Sequence, residues 1–263
     1  MMTAITRAVS PSMETCELTF LKREVIDMAR AREQHHAYEA CLGELGVAVI
    51  SLGAEPRYPD GVFVEDAAIV LDEVAVMTRL GAESRRGESA SVARALEPHR
   101  RLRWLREPAT LDGGDVMLAG RTLYVGVTAR SNAAGIRQLA AEVEPFGYRV
   151  RPVVVQGCLH LKSACSYLGN YLGNDEVLVH RPWVEAAAFD GVKLIDVPEE
   201  GGANVLVVGG TALVPATAPR TAELLCKMGR QVKLLDNSEL MKAEGALTCC
   251  SLIFRTGTQG SGS

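Results

Sequence analysis

The sequence predicts an α/β fold built as a five-unit array that closes into a pseudo-symmetric propeller with its helices outside. Three observations lead there. Five times an apolar, strand-like run begins at a polar or sulfur-bearing residue, and most of these runs meet a short turn and a second strand. With Asp66, Asp115, Ser163, Asn204 and Cys249 taken as corresponding positions, the units are spaced by 49, 48, 41 and 45 residues. That spacing falls in the window of about 20 to 50 residues that marks repeated supersecondary units. Helical patterns lie between the strand pairs, and strands alternating with helices at a regular period argue for an α/β array.

Taken in order, the N-terminal segment supplies the first unit, with a helix across REVIDMARAREQHHAYEACLGELG (23–46) and a strand at VAVISLG (47–53). FVEDAAIVLDEVAVMTR (63–79) is the strand pair of the second unit, followed by the helical pattern SASVARALEPH (89–99). LDGGDVMLAGRTLYVGV (111–127) and ARSNAAGIRQLAAEVEPFG (129–147) repeat that order, with Ser131 or Asn132 as helix cap. LHLKSACSYLGNYLGNDEVLVH (159–180) is the fourth strand pair, and GGANVLVVGGTALVPA (201–216) with PRTAELLCKMG (219–229) makes the fifth unit. In each helix apolar residues recur at three and four, with Gly or Pro near the end. GALTCCSLIF (245–254) is the last edge, and closure requires its strand to pair beside strands from the start of the chain. The reading is one domain over 1–255, with 256–263 as a flexible tail of linker composition.

Composition narrows the function classes. At 263 residues, 48% hydrophobic and 23% charged, the chain can bury a sizeable core. Net charge is −4 and the basic residues are scattered, so a nucleic-acid partner is not expected. The opening MMTAITRAVSPSMETCELTF has no apolar signal core, and no stretch reaches about 18 uninterrupted apolar residues. A soluble, cytoplasmic protein without membrane contact is the expectation. Seven dispersed cysteines without a CxxC pair fit neither a disulfide framework nor a structural zinc site.

If the strands approach a shared axis, residues at equivalent edges converge there. That makes Asp66, Asp112, Asp115, His160 and Cys249 candidate neighbours: a thiol nucleophile, an imidazole acid/base and carboxylates able to hold a cation. Each has a plainer reading. Cys249 and Cys250 could both be small buried hydrophobes; on an alternating strand the two face opposite ways, so at most one reaches a central site. His160 sits between leucines and matters only if it meets the thiol. PDGVFVEDAAIV places Asp60, Glu65 and Asp66 around Phe63, which could be a turn with strand-edge charges. Yet Asp66 directly precedes AAIV, where a carboxylate is costly unless paired. The glycine pair of LDGGD suggests a bend where backbone or ligand comes close. Arg79, Arg85 and Arg86 in one stretch and Arg130 in another could each supply a bidentate fork for a carboxylate, or be helix-start surface charge.

Together VFVED, GAESRR, LDGGD, CLHLKS, TARSN and LTCCS, in this order, resemble the dimethylarginine dimethylaminohydrolases of the guanidino-group-modifying superfamily, from about residue 23 to residue 254. The resemblance implies the five-bladed α/β propeller called a pentein. It also implies hydrolysis of asymmetric dimethylarginine or monomethylarginine to citrulline plus dimethylamine or methylamine. Carried over by motif, Cys249 is the nucleophile, His160 the acid/base and Asp112 its neighbour. Glu65 and Asp66 lie by the guanidinium, Phe63 lines the substrate site, Arg85 and Arg130 bind the α-carboxylate, and Asp60 helps hold the α-amino group. Main-chain oxygens of Ala243 and, in an N-terminal lid, of Leu18 complete the set. No metal or other cofactor is implied, with Zn²⁺ only an adventitious inhibitor; the partner is a small methylated arginine, and the protein is expected as monomer or homodimer. The rival readings are an arginine deiminase or amidinotransferase, which this compact chain disfavours, and a non-catalytic pentein binding module, which would not need Cys249, His160 and two arginines together.

Overall fold

The computed structural model describes residues 1–256, and five three-stranded sheets account for its β structure. The first holds β1 (Met2–Arg7), β2 (Val47–Leu52) and β15 (Leu252–Arg255); the second β3 (Ala68–Val70), β4 (Val74–Met77) and β5 (Arg101–Trp104). The third holds β6 (Val116–Ala119), β7 (Thr122–Val127) and β8 (Arg149–Val154), and the fourth β9 (Cys165–Tyr171), β10 (Asn174–Val179) and β11 (Lys193–Asp196). β12 (Leu206–Val208), β13 (Thr211–Pro215) and β14 (Gln231–Leu235) form the fifth. Every sheet has one plan, an antiparallel pair and a third strand parallel to the middle one; in four sheets the antiparallel pair is a hairpin, and in the first it is β15 with β1.

A parallel pairing needs a long crossover, and in four units that crossover carries a helix: α1 (Met28–Glu44), α2 (Ser89–Leu96), α3 (Ala133–Val143) and α5 (Pro219–Lys227). The fourth unit uses single 3₁₀ turns at Arg181–Trp183 and Ala186–Ala188 instead. Two one-turn helices, α4 (Leu161–Ala164) and α6 (Ser238–Met241), complete the set. The propeller closes as the last apolar run requires, with β15 antiparallel to β1 and Met2 opposite Arg255. Tyr38 on α1 reinforces the seam through a buried 2.6 Å hydrogen bond to Ser251.

Two sequence expectations change at the N-terminus. MTAITR is a strand that the sequence reading left unassigned, and it is the middle strand of its sheet. The first helix begins at Met28 rather than 23, because the Asp27 carboxylate accepts hydrogen bonds from the amides of Ala29 and Arg30 and caps it there. The residues before it run as a strap over the end of the propeller. Of the expected tail, only Thr256 is described, and it extends the closing ladder by pairing with Met1; the rest lies outside the described residues.

The apolar core is not one mass. It divides into five clusters, each at a seam between neighbouring units. Ile5, Phe254, Ala75 and Val92 join the first and second, Val76, Leu123 and Leu139 the second and third, and Tyr124, Leu161 and Val177 the third and fourth. Leu178, Val214 and Leu225 join the fourth and fifth, and Leu213, Tyr38 and Leu42 close the ring. Burial at the seams fixes the blades against each other, so the hairpin edges that face the axis are held at set distances. Among the described residues, no helix is long and apolar enough to cross a membrane. All seven cysteines are unpaired.

Candidate active site

The turn that leads into each inner strand carries the polar residues. Glu65 and Asp66 sit on a 3₁₀ turn (Val64–Ala67) before β3, Asp112 precedes the turn Gly113–Asp115 before β6, and His160 directly precedes α4, which leads into β9. Cys249 lies on the turn Thr248–Cys250 before β15. These turns meet at one end of the axis. A narrow cavity there is lined by Asp66, His160 and Cys249, with Asp60, Phe63, Arg85, Arg130, Ala243 and Gly245 around them and Glu17, Leu159 and Glu244 at its edge.

His160 is buried, with Nε2 3.0 Å from Asp112 Oδ2 and Nδ1 3.9 Å from Asp66 Oδ1. Burial alone would lower its pKa, but Asp66, Asp112 and Asp115 overcome that and raise it to about 9. Burial, reinforced by the Glu65 and Asp66 carboxylates, pushes the Cys249 thiol up to about 12. At neutral pH the site therefore holds an imidazolium and a neutral thiol. Asp66 stays ionised: burial opposes its charge, but His160, Arg85 and the Gly114 amide hold it at about 2.

Glycines make the approach possible. A Cβ on Gly114 would stand 2.6 Å from His160 Nδ1 and 2.8 Å from Asp66 Oδ1, and one on Gly113 would stand 2.0 Å from the Glu65 carbonyl oxygen. The glycine pair of LDGGD is thus the bend that lets His160 and Asp66 share the space above it.

The two adjacent thiols part company, though not by strand alternation. They lie on a 3₁₀ turn, where successive side chains are roughly 120° apart. Cys249 faces the cavity, while the Cys250 thiol donates to the Ala246 carbonyl oxygen at 3.4 Å and packs into the apolar cluster under α1.

The arginines divide as well. Arg85 is almost fully engaged: Nε and Nη2 fork onto Glu88 at 3.0 and 2.9 Å, Nη1 donates to Asp66 at 2.9 Å, and Nη2 reaches the Phe63 carbonyl oxygen at 3.5 Å. Its bidentate fork, expected to be free for a ligand carboxylate, is occupied by Glu88, three residues along the chain. Arg130 is different. Nη2 donates to Thr19 at 3.1 Å, while buried Nη1 stands 3.8 Å from Asp112 with no hydrogen-bond partner among the described residues. Arg79 and Arg86 pair with Glu107 and Glu83 at the surface, outside the cavity.

Asp115, an expected neighbour of the thiol, does not line the cavity. Its buried carboxylate accepts from Thr128 and Ser131 at 2.6 Å and from the Leu161 amide at 2.9 Å, tying the Arg130 loop to the His160 turn. The strap covers the cavity by contacts the sequence did not reveal. The Glu17 amide donates to Asp60 at 3.1 Å, and Glu244 accepts the consecutive amides of Thr19, Phe20 and Leu21 at 3.0, 2.5 and 2.6 Å. Glu244 adopts φ = 57°, an uncommon left-handed conformation for a residue with a side chain. Leu18 turns its half-buried side chain into the apolar cluster, leaving Glu17 at the cavity. Ala243, buried beside Glu244, does line it. Asp66, Asp112 and His160 place three potential metal-ligand atoms within 4.8 Å of one another, but the hydrogen bonds from Arg85, Gly114 and Gly81 already occupy those carboxylates.

Comparison with known proteins agrees with this geometry. The family model for N,N dimethylarginine dimethylhydrolase, eukaryotic, matches residues 10–179. The N(G),N(G)-dimethylarginine dimethylaminohydrolase of Streptomyces coelicolor is 43% identical over 257 residues, 96% of each chain. Among solved structures, the Pseudomonas aeruginosa dimethylarginine dimethylaminohydrolase, as a cysteine-to-serine mutant complexed with citrulline, superposes with a TM-score of 0.89 at 33% identity, covering 96% of this chain and 98% of that one. A dimethylarginine dimethylaminohydrolase with a histidine-to-glycine change, solved as an adduct with S-methyl-L-thiocitrulline, gives the same score and identity over 96% and 99%.

Proposed function

The chain belongs to the dimethylarginine dimethylaminohydrolase family, and from that premise we propose that it hydrolyses Nω-methylated arginine to citrulline and dimethylamine or methylamine, with Cys249 as nucleophile and His160 as acid/base. The observation that carries this reading is the charge layout of one small cavity. Thiol, imidazole and the Asp66 carboxylate line it together, a charge set suited to a guanidinium cation, and Arg130 Nη1, 3.8 Å from Asp112 and making no hydrogen bond among the described residues, is a donor available to an α-carboxylate.

The chemistry follows from the groups present. A guanidinium carbon is a weak electrophile because its charge is delocalised, so the substrate must be held and the sulfur ionised at the moment of attack. The bound cation stabilises the thiolate electrostatically, and the thiol proton leaves for solvent. Sulfur then attacks the guanidinium carbon to give a tetrahedral adduct. His160, held protonated by its carboxylates, donates its proton to the departing amine as the C–N bond breaks, which leaves a covalent thiouronium on Cys249. Neutral His160 next takes a proton from water as it attacks the same carbon. Cleavage of the C–S bond expels the thiolate and releases citrulline, the hydroxyl proton of the adduct passes to sulfur to restore the thiol, and His160 is left protonated as at the start.

Asp112 keeps the imidazole oriented and Asp66 stands on the guanidinium side, whereas Glu65, expected beside it, does not line the cavity: its carboxylate is turned to Lys162 and Thr248. Arg130 is the principal carboxylate anchor; Arg85, with its fork on Glu88, acts chiefly through Asp66 and retains one free N–H. Asp60 and the main-chain oxygens of Ala243 and Leu18 are assigned to the α-amino group. No metal takes part in these steps, and Zn²⁺ captured by the thiol and imidazole would block them. We place the protein in the cytoplasm as monomer or homodimer.

Citrulline release by wild type, Cys249→Ser and Cys250→Ser tests the assignment. Loss of the nucleophile should lower kcat by at least about 10³-fold, whereas Cys250→Ser should stay within about threefold of wild type. Full activity in Cys249→Ser would overturn the reading.

A further inference from the structure

Directly beneath the catalytic cavity four polar residues from four units close a ring about the axis. Lys162 Nζ lies 2.5 Å from Glu65 Oε1, and Glu65 Oε2 accepts the Thr248 hydroxyl at 3.0 Å. Asn204 Nδ2 donates to the Thr248 hydroxyl at 2.9 Å and to the Lys162 carbonyl oxygen at 2.8 Å, while its Oδ1 accepts the Thr248 amide at 3.2 Å. Glu65, Lys162 and Thr248 each stand one residue before the repeated edge position of their unit. They face a channel of about 280 Å³ walled by the inner strands of the five sheets, while the neighbouring Asp66, His160 and Cys249 face the catalytic cavity.

Thr248 immediately precedes Cys249, so the ring holds the nucleophile's turn and sets the charge next to it. Two anions, Glu65 and Asp66, bear on the thiol. Asp66 is compensated by Arg85 at 2.9 Å and Glu65 by Lys162. We infer that Lys162 is a positioning residue for the reaction, its ammonium neutralising Glu65 beneath the Cys249 turn so that the thiol ionises against one uncompensated anion fewer. The physical balance agrees: Glu65 raises the Cys249 pKa and Lys162 lowers it. The other charged groups around the cavity are His160, Arg85, Arg130, Asp60, Glu17 and Glu244; their ion pairs and hydrogen bonds run to Asp66, Asp112, Glu88, Phe63, Ser84 or the strap and none to Lys162 or Glu65, so the substitutions below leave them in place.

This inference rests on Cys249 being the nucleophile, and its test reads the thiol rather than turnover. Iodoacetamide alkylation of Cys249 in the ligand-free full chain is followed by peptide mass mapping. Below the thiol pKa the rate tracks the thiolate fraction, so one pKa unit is about tenfold in rate. Lys162→Met should slow alkylation about tenfold and Glu65→Gln should speed it about tenfold. Lys162→Met combined with Glu65→Gln should return to within about threefold of wild type, and Lys162→Arg should stay there. An unchanged rate in Lys162→Met, or a double variant as slow as Lys162→Met, would overturn the assignment, since a purely structural lysine would not be rescued by removing Glu65. If Lys162→Met does not fold, an unchanged rate in Glu65→Gln overturns it alone. Absence of citrulline from every guanidine would refute the proposed function while these rates still decide the role of Lys162.

Discussion

Gly114→Ala tests the packing of the site with one methyl group. Gly114 does not use the left-handed backbone, so alanine meets no conformational barrier and the effect is steric. The new Cβ would stand 2.6 Å from His160 Nδ1 and 2.8 Å from Asp66 Oδ1, against an ordinary contact of 3.4 Å or more. One side must yield by about 0.8 Å, and neither is free to do so. Asp66 is fixed by Arg85 and the Gly114 amide, and His160 by Asp112. Overpacking of this kind costs about 1–3 kcal/mol, and displacing a catalytic group by about 1 Å costs roughly 100-fold in rate. We therefore expect kcat for citrulline formation to fall about 100-fold and urea-unfolding stability to drop by about 1–3 kcal/mol. Gly43→Ala is the control: on α1 with nothing within 4 Å of its Cβ position, it should leave kcat unchanged and add up to about 1 kcal/mol. A Gly114→Ala protein with near-wild-type kcat and stability would refute the crowded geometry.

Three further outcomes follow from the same site. A non-reactive guanidine ligand should lower the Cys249 thiol from about 12 by about 3 units, since a cation about 4 Å away in an effective dielectric near 20 contributes about 4 kcal/mol; equal thiolate absorbance titrations with and without ligand would contradict this. His160 is raised in the folded protein to about 9, so its stabilising contribution is complete below its unfolded value of about 6.5 and disappears as pH rises through about 9. Urea unfolding should show wild type losing roughly 3 kcal/mol more than His160→Gln between those limits, and parallel profiles would refute it. Glu244→Ala removes the acceptor of three strap amides; with charge-assisted hydrogen bonds worth about 1.5–3 kcal/mol, trypsin cleavage at Lys22 and Arg23 should accelerate about tenfold or more, and an unchanged half-time would show that Glu244 does not secure the strap.

The repeat was legible because each unit must start an apolar inner strand at the axis, and that requirement leaves an edge every 41–49 residues. Closure was legible for the same reason, since SLIFR had no partner nearby in sequence. MTAITR was not, because as a middle strand it is buried on both faces and so lacks the apolar–polar alternation that marks a half-exposed strand. Cys249, His160, Asp66 and Asp112 could be singled out because polar groups at apolar edges need partners. Asp115 shares that edge position, yet its carboxylate is drawn to Thr128, Ser131 and the Leu161 amide, partners that no spacing rule distinguishes from a ligand. Arg85 was expected to grip a carboxylate and does so, but the carboxylate is Glu88 of its own chain. Lys162, Glu17 and Glu244 resemble ordinary surface charge in sequence; the propeller geometry alone carries them to the floor and the rim of the cavity.

The most direct test supplies dimethylarginine, monomethylarginine and arginine separately to the purified protein and quantifies citrulline together with the amine released. Equimolar citrulline and dimethylamine from the first, and citrulline and methylamine from the second, with little product from arginine, is the predicted result. Citrulline and ammonia from arginine, with none from either methylated substrate, would contradict it.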